Sequence, residues 1–174
     1  MTDTTRIDQL KVVVGDQSRA ALRSALIARG VLLNSHAETL LDADIFDGRT
    51  ARAIVVTERT VANLGRPQGA TLSEILELGK QHGLLPCPAD TGPYLRLALL
   101  DQATSTDSVM SAGRAPNGSL TVASEPLSDD DTYPKGFYIR VVDGQAWLRG
   151  YRCDDEHIWS PDDRFVFRTK SPSA

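Results

Sequence analysis

Cysteine is scarce in this chain and basic charge is in deficit. Among 174 residues there are two cysteines, Cys87 and Cys153. Two thiols make no disulfide framework and fall short of the four ligands of a structural zinc site. No intramolecular disulfide is expected. Lys and Arg number 19 against 23 Asp and Glu, a formal net charge of −4. That balance argues against nucleic acid or an anionic membrane as the partner, because both are held through a basic footprint. No apolar run approaches the roughly 18 residues that a membrane span needs. The opening MTDTTRIDQL has neither a basic n-region nor an apolar h-region, so no secretory leader is expected. The cytoplasm is the expected compartment. Gly65-Arg66-Pro67-Gln68-Gly69 matches neither the Walker A nor the dinucleotide fingerprint, and no cofactor is expected.

What is present suits one globular domain over 1–174. Apolar residues are 41% and charged residues 24%, an ordinary globular composition. The charge is unevenly spread. Residues 1–87 carry 10 basic and 10 acidic side chains, and residues 88–174 carry 9 and 13. Residues 1–16 read as a flexible tail or edge strand around the apolar run Leu10–Val14. Helical spacing of Ala21, Leu22, Ala25 and Leu26 predicts a helix over 17–29, capped by Asp16 or Ser18 and stopped by Gly30. Ser35-His36-Ala37-Glu38 and Thr71-Leu72-Ser73-Glu74 have capping-box spacing and predict two more helices, the second closed by Gly83. Residues 53–57 read as a strand.

After Pro86 the character changes. Strands are predicted at 94–100, 120–123, 137–142, 145–151 and 165–167, with a mobile loop at 101–118. Asp143-Gly144 between alternating apolar runs is a hairpin signal, because both turn residues must take positive φ. The expected fold is α+β, a single two-layer domain with N-terminal helices packed on a C-terminal antiparallel sheet.

The segment Cys87-Pro88-Ala89-Asp90-Thr91-Gly92-Pro93-Tyr94-Leu95-Arg96-Leu97 resembles a family of uncharacterised bacterial proteins. The likeness extends upstream through Leu64-Gly65 and Gly69-Ala70-Thr71 to Gly83-Leu84. Downstream it takes in Glu125-Pro126-Leu127-Ser128-Asp129 and the 159–167 segment with Asp162, Asp163, Arg164 and Phe165. The resemblance implies one domain and carries no activity.

Three groupings offer chemistry. Cys87 and Asp90 lie in a proline-stiffened turn, and a hydrolase centred there would use His82 or His36 as base toward the thiol. The plainer reading of Cys87 is a small buried side chain at the end of a helix. Asp129, Asp130 and Asp131 in one loop and Asp154, Asp155, Glu156, Asp162 and Asp163 in another supply the oxygen ligands that hard cations favour. Asp129, Asp131 and Asp162 are the metal candidates, but the spacing fits no EF-hand and acidic runs in loops are usually solvated. No bound metal is expected.

The third grouping is the hairpin. A two-residue turn sets Val142 opposite Gln145, Arg140 opposite Trp147 and Tyr138 opposite Arg149. Phe137, Ile139, Val141, Ala146 and Leu148 then form a core face. The other face holds Tyr138, Arg140, Trp147, Arg149 and Tyr151, with Arg140 and Trp147 spaced for a cation–π pair. Alternation in the 94–100 strand adds Arg96 to that face. Arg, Tyr and Trp are the types enriched at binding hot spots. The leading expectation is therefore a small binding or regulatory module that meets a protein partner through this face, and the alternative is the hydrolase.

Overall fold

The computed structural model describes residues 7–47, 50–99 and 119–170. The 101–118 loop lies outside them, as do residues 1–6. Among the described residues the apolar run near the start forms strand β1 (Leu10–Val14), and its alternation buries Val12 and Val14. Helix α1 (Arg19–Ala28) follows, with the Ser18 side chain accepting from the Ala21 N–H. The short β2 (Leu32–Leu33) leads into α2 (Ser35–Leu41). Its cap is Asn34, whose Oδ1 accepts from Ala37 N, so Ser35 is the first helical residue and not the cap. A 3-10 turn at Asp44–Phe46 precedes β3 (Arg52–Thr60), which runs beyond the expected 53–57. Helix α3 (Leu72–Gln81) starts at the Thr71–Glu74 capping box, with both reciprocal bonds made, and Gly83 follows it at φ 77°. Then come β4 (Leu84–Leu85), α4 (Thr91–Ala98), β5 (Leu120–Val122), the hairpin β6 (Gly136–Val142) and β7 (Gln145–Tyr151), and β8 (Arg164–Thr169).

Helix α4 replaces the strand expected at 94–100. Leu95 and Leu99 are spaced by four residues, so they lie on one helical face as well as on one strand face. Thr91 through Arg96 are all buried, which a one-sided strand does not explain. Pro93 falls in the first turn of the helix, where its missing N–H costs no intrahelical bond.

The eight strands form one curled mixed sheet in the order β1-β3-β8-β5-β6-β7-β2, with β4 pairing the far end of β8. The antiparallel expectation fails at two places. β5 runs parallel to β8, because the chain leaves β5, builds the β6–β7 hairpin beside it and returns on the other side. β2 runs parallel to β7. The sheet is also not confined to the second half of the chain, since β1 to β4 belong to the first. The hairpin register is the one its turn dictates: Arg140 opposite Trp147, Tyr138 opposite Arg149, with Asp143 at φ 51° and Gly144 at φ 77°.

Two apolar clusters lie on the two faces of the sheet. On one, Leu22, Leu26, Ala37, Leu40, Leu41, Tyr94 and Leu95 from α1, α2 and α4 meet Phe137, Ile139, Leu148 and Val166. On the other, Leu72, Ile75 and Leu76 of α3 meet Tyr138, Tyr151, Trp159, Phe165 and Phe167. The helices therefore sit on both faces, and the two-layer expectation gives way to a sheet covered from each side. This explains why every residue of β5 and β6 is buried.

Candidate functional site

The covering of the second face decides the fate of the Arg/Tyr/Trp surface. Arg140 is 0% exposed, Tyr138 and Tyr151 are buried, and Tyr151 joins Trp159 in an edge-on ring contact at 5.2 Å. Arg96 belongs to α4 and not to a strand. Its guanidinium is buried, donating from Nη1 to the Arg140 and Trp147 carbonyls and from Nη2 to the Leu99 carbonyl 2.5 Å away. Burial alone lowers the Arg96 pKa to about 10. Arg96, Arg140, Tyr138 and Tyr151 are thus removed from the accessible face. They were placed there by alternation, which gives the side of a sheet but not what covers it.

Trp147 and Arg149 remain half-buried at the open end of the same face. Arg149 makes two cation–π contacts. Its Cζ lies 5.0 Å from the Trp147 ring centroid and 5.9 Å from that of Tyr138, and its Nε donates to Tyr138 Oη at 2.7 Å. The buried tyrosine holds the guanidinium, and the guanidinium stacks on the indole. Leu32, paired in register with Trp147, is 44% exposed. At the next turn of chain, Asn34 clasps the edge strand by donating to Gly150 O at 3.0 Å and accepting from Gly150 N at 2.9 Å. That clasp sets His36 near Arg149 and the exposed Arg152. Partial burial, then Arg152 and Arg149, hold the His36 pKa below its ordinary value. The sheet edge therefore gathers an indole, an aliphatic side chain, two guanidiniums and an imidazole within an acidic chain.

The proline turn behaves differently from the enzyme expectation. Cys87 is buried, donates to Val166 O at 3.5 Å, and has its pKa pushed up to about 12 by desolvation. A thiolate there is disfavoured. His82 Nε2 pairs with the Leu64 carbonyl at 3.1 Å, and His36 sits at the β7 edge, so neither imidazole is placed as a base for Cys87. Asp90 is buried and ion-paired with Arg52 at 2.8 Å, a partner 38 residues away that no local pattern announces. The two residues share a cleft of about 260 Å³ with Asp44, Ile45 and Ala89. The acidic loop at 154–163 does not line it.

Among the described residues no three His, Cys, Asp or Glu side chains are grouped to hold a metal. Asp131 faces Lys135 Nζ at 3.7 Å, Asp130 accepts from the Thr132 N–H and hydroxyl, and neither Asp129 nor Asp162 joins them in such a group. No helix among them is long and apolar enough to cross a membrane. No protein-family model, curated protein or solved structure matches the chain.

Proposed function

We propose that the protein is a small binding module that holds an acidic segment of a protein partner against Trp147 and Arg149. The observation that carries this reading is the stacked Arg149–Trp147 pair, kept at the surface beside the part of the sheet face that α3 covers. An indole and a guanidinium locked by a buried tyrosine lose little freedom on binding, which favours affinity. Leu32 extends the apolar contact, and the exposed Arg152 extends the positive rim. An acidic, aromatic or aliphatic-bearing segment complements all of them. The thiol hydrolase reading has no support in the burial and raised pKa of Cys87.

The test is an array of acidic peptides with varied apolar positions, screened against the wild-type protein, Trp147→Ala and Arg149→Ala. Losing a central anchor should weaken capture of the best peptides by roughly thirtyfold or more. Added salt should weaken it further, since the rim charges are solvent-facing. Peptides that bind both variants as tightly as the wild type would overturn the proposal.

A further inference from the structure

Building on the Trp147 edge proposed above as a site for an acidic segment, we infer that the partner it holds is a second copy of this chain. The acidic 154–158 segment of each copy sits on the Trp147–Arg149 edge of the other.

The chain carries both halves of that contact in one strip. Trp147, Arg149 and Tyr151 alternate onto one face of β7. Arg152 follows, then Asp154, Asp155 and Glu156, all exposed, and Ile158, 55% exposed. The order is an apolar group, two guanidiniums, three carboxylates and a second apolar group. The strip stays on one side of the sheet. Trp159 meets Tyr151 edge-on at 5.2 Å, so the chain after Asp154 folds back toward the face that carries Trp147 and Arg149. The segment is also fixed in advance. Asp154 Oδ1 accepts from Glu156 N at 3.0 Å, and Trp159 exchanges backbone bonds with Ala70 at 2.8 and 3.3 Å. A segment already ordered costs little further entropy on binding.

The two charge groups are neighbours that do not neutralise each other. Among the described residues neither Arg149 nor Arg152 forms an ion pair with Asp154, Asp155 or Glu156. Arg149 donates instead to Tyr138 Oη and stacks on Trp147. Lys135 and Asp131, which also act on the nearby Cys153 thiol, face each other at 3.7 Å. A basic patch beside an acidic one is self-complementary. A two-fold axis between them lays the basic half of each copy on the acidic half of the other, so every contact occurs twice. Ile158 of one copy then lies against the Trp147–Leu32 patch of the other. Each copy carries a formal charge of −4, a long-range repulsion that these local contacts must overcome. The dimer should accordingly be a weak one, with a dissociation constant on the order of 10–100 µM.

The experiment is sedimentation equilibrium of the full chain from about 5 µM to about 500 µM, a range that brackets such a constant. The wild type should pass from monomer to dimer and no further, because a two-fold interface closes. Arg152→Glu reverses the edge, and Asp155→Lys with Glu156→Lys reverses the segment. All three positions are exposed. Each variant alone should dimerise at least roughly tenfold more weakly, because like charges then meet. Mixed in equal amounts, the two should dimerise again, since the reversed edge meets the reversed segment and the natural contact is kept once. Trp147→Ala should weaken the wild-type dimer as well. A wild type still monomeric at the highest concentration, a dimer indifferent to both reversals, or a mixture that stays monomeric would overturn the inference. Acidic peptides that still bind through Trp147 and Arg149 in those cases would leave the edge reading standing, with another protein as the partner; failure of the peptides too would remove both.

Discussion

The two tryptophans of this chain occupy opposite environments, and replacing each by alanine should separate them sharply. Trp159 is 4% exposed and makes edge-on contacts with Tyr151 at 5.2 Å, His157 at 5.2 Å and Phe165 at 4.9 Å. Truncating a buried tryptophan leaves a cavity that costs about 3–5 kcal/mol. Trp147 is half-buried, and its described ring contact is the Arg149 stack at 5.0 Å. Losing a partly exposed cation–π contact together with some apolar cover costs about 1–2 kcal/mol. For a domain of this size each kcal/mol moves the melting temperature by about 2–4 °C. Trp159→Ala should therefore lower Tm by about 6–20 °C, and Trp147→Ala by about 2–8 °C. Paired urea melts at constant m would confirm that stability alone has changed. If Trp147→Ala destabilised as much as Trp159→Ala, Trp147 would be core and the surface reading would fall.

Other consequences are as direct. Cys87 and Cys153 have pKa values raised to about 12 and about 11 by burial; a thiol reagent at about pH 8 should label the native protein far more slowly than a free thiol and count two thiols after denaturation. Glu58, 3% exposed, accepts from Arg164 Nε at 2.6 Å, Arg164 Nη2 at 2.8 Å and Ile7 N at 2.7 Å; Glu58→Gln removes the buried charge that holds these donors and should cost about 2–4 kcal/mol in a urea melt, and a loss under 1 kcal/mol would refute that. The His36 pKa is lowered in the fold, so its contribution is fully present above about pH 6.5 and declines as the pH falls below that value. His36→Gln should accordingly lose less stability than the wild type on going from about pH 7 to about pH 5, and an unchanged difference would show that His36 is not perturbed.

Local signals carried the sequence reading furthest where a few neighbouring residues fix the geometry. The Thr71–Glu74 box, the Ser18 cap and the Asp143-Gly144 turn each led to the element and register observed. Local sequence is silent where geometry depends on what arrives from elsewhere. Leu95, Leu97 and Leu99 alternate as in a strand, but Leu95 and Leu99 also fall on one helix face, and contact with Phe137 and Ile139 goes with the helix. The parallel β5–β8 pairing follows from the return path of the chain, which no window of sequence contains. For the same reason alternation placed Arg140 and Arg149 on one side of the sheet without showing that only Arg149 stays near the surface. The Arg52–Asp90 pair was illegible because the two partners meet only once β3 and the proline turn are side by side.

The most direct test of an accessible, positively surrounded Trp147 is collisional quenching in a Trp159→Phe variant, where Trp147 is the sole indole. The protein as a whole carries a formal charge of −4, so an average surface indole on it should be quenched better by caesium than by iodide. Beside Arg149 and Arg152 the order should reverse, with iodide the stronger quencher, and Arg149→Gln should shrink that advantage, as should added salt. Iodide and caesium quenching that are both negligible, or caesium stronger than iodide, would contradict the account.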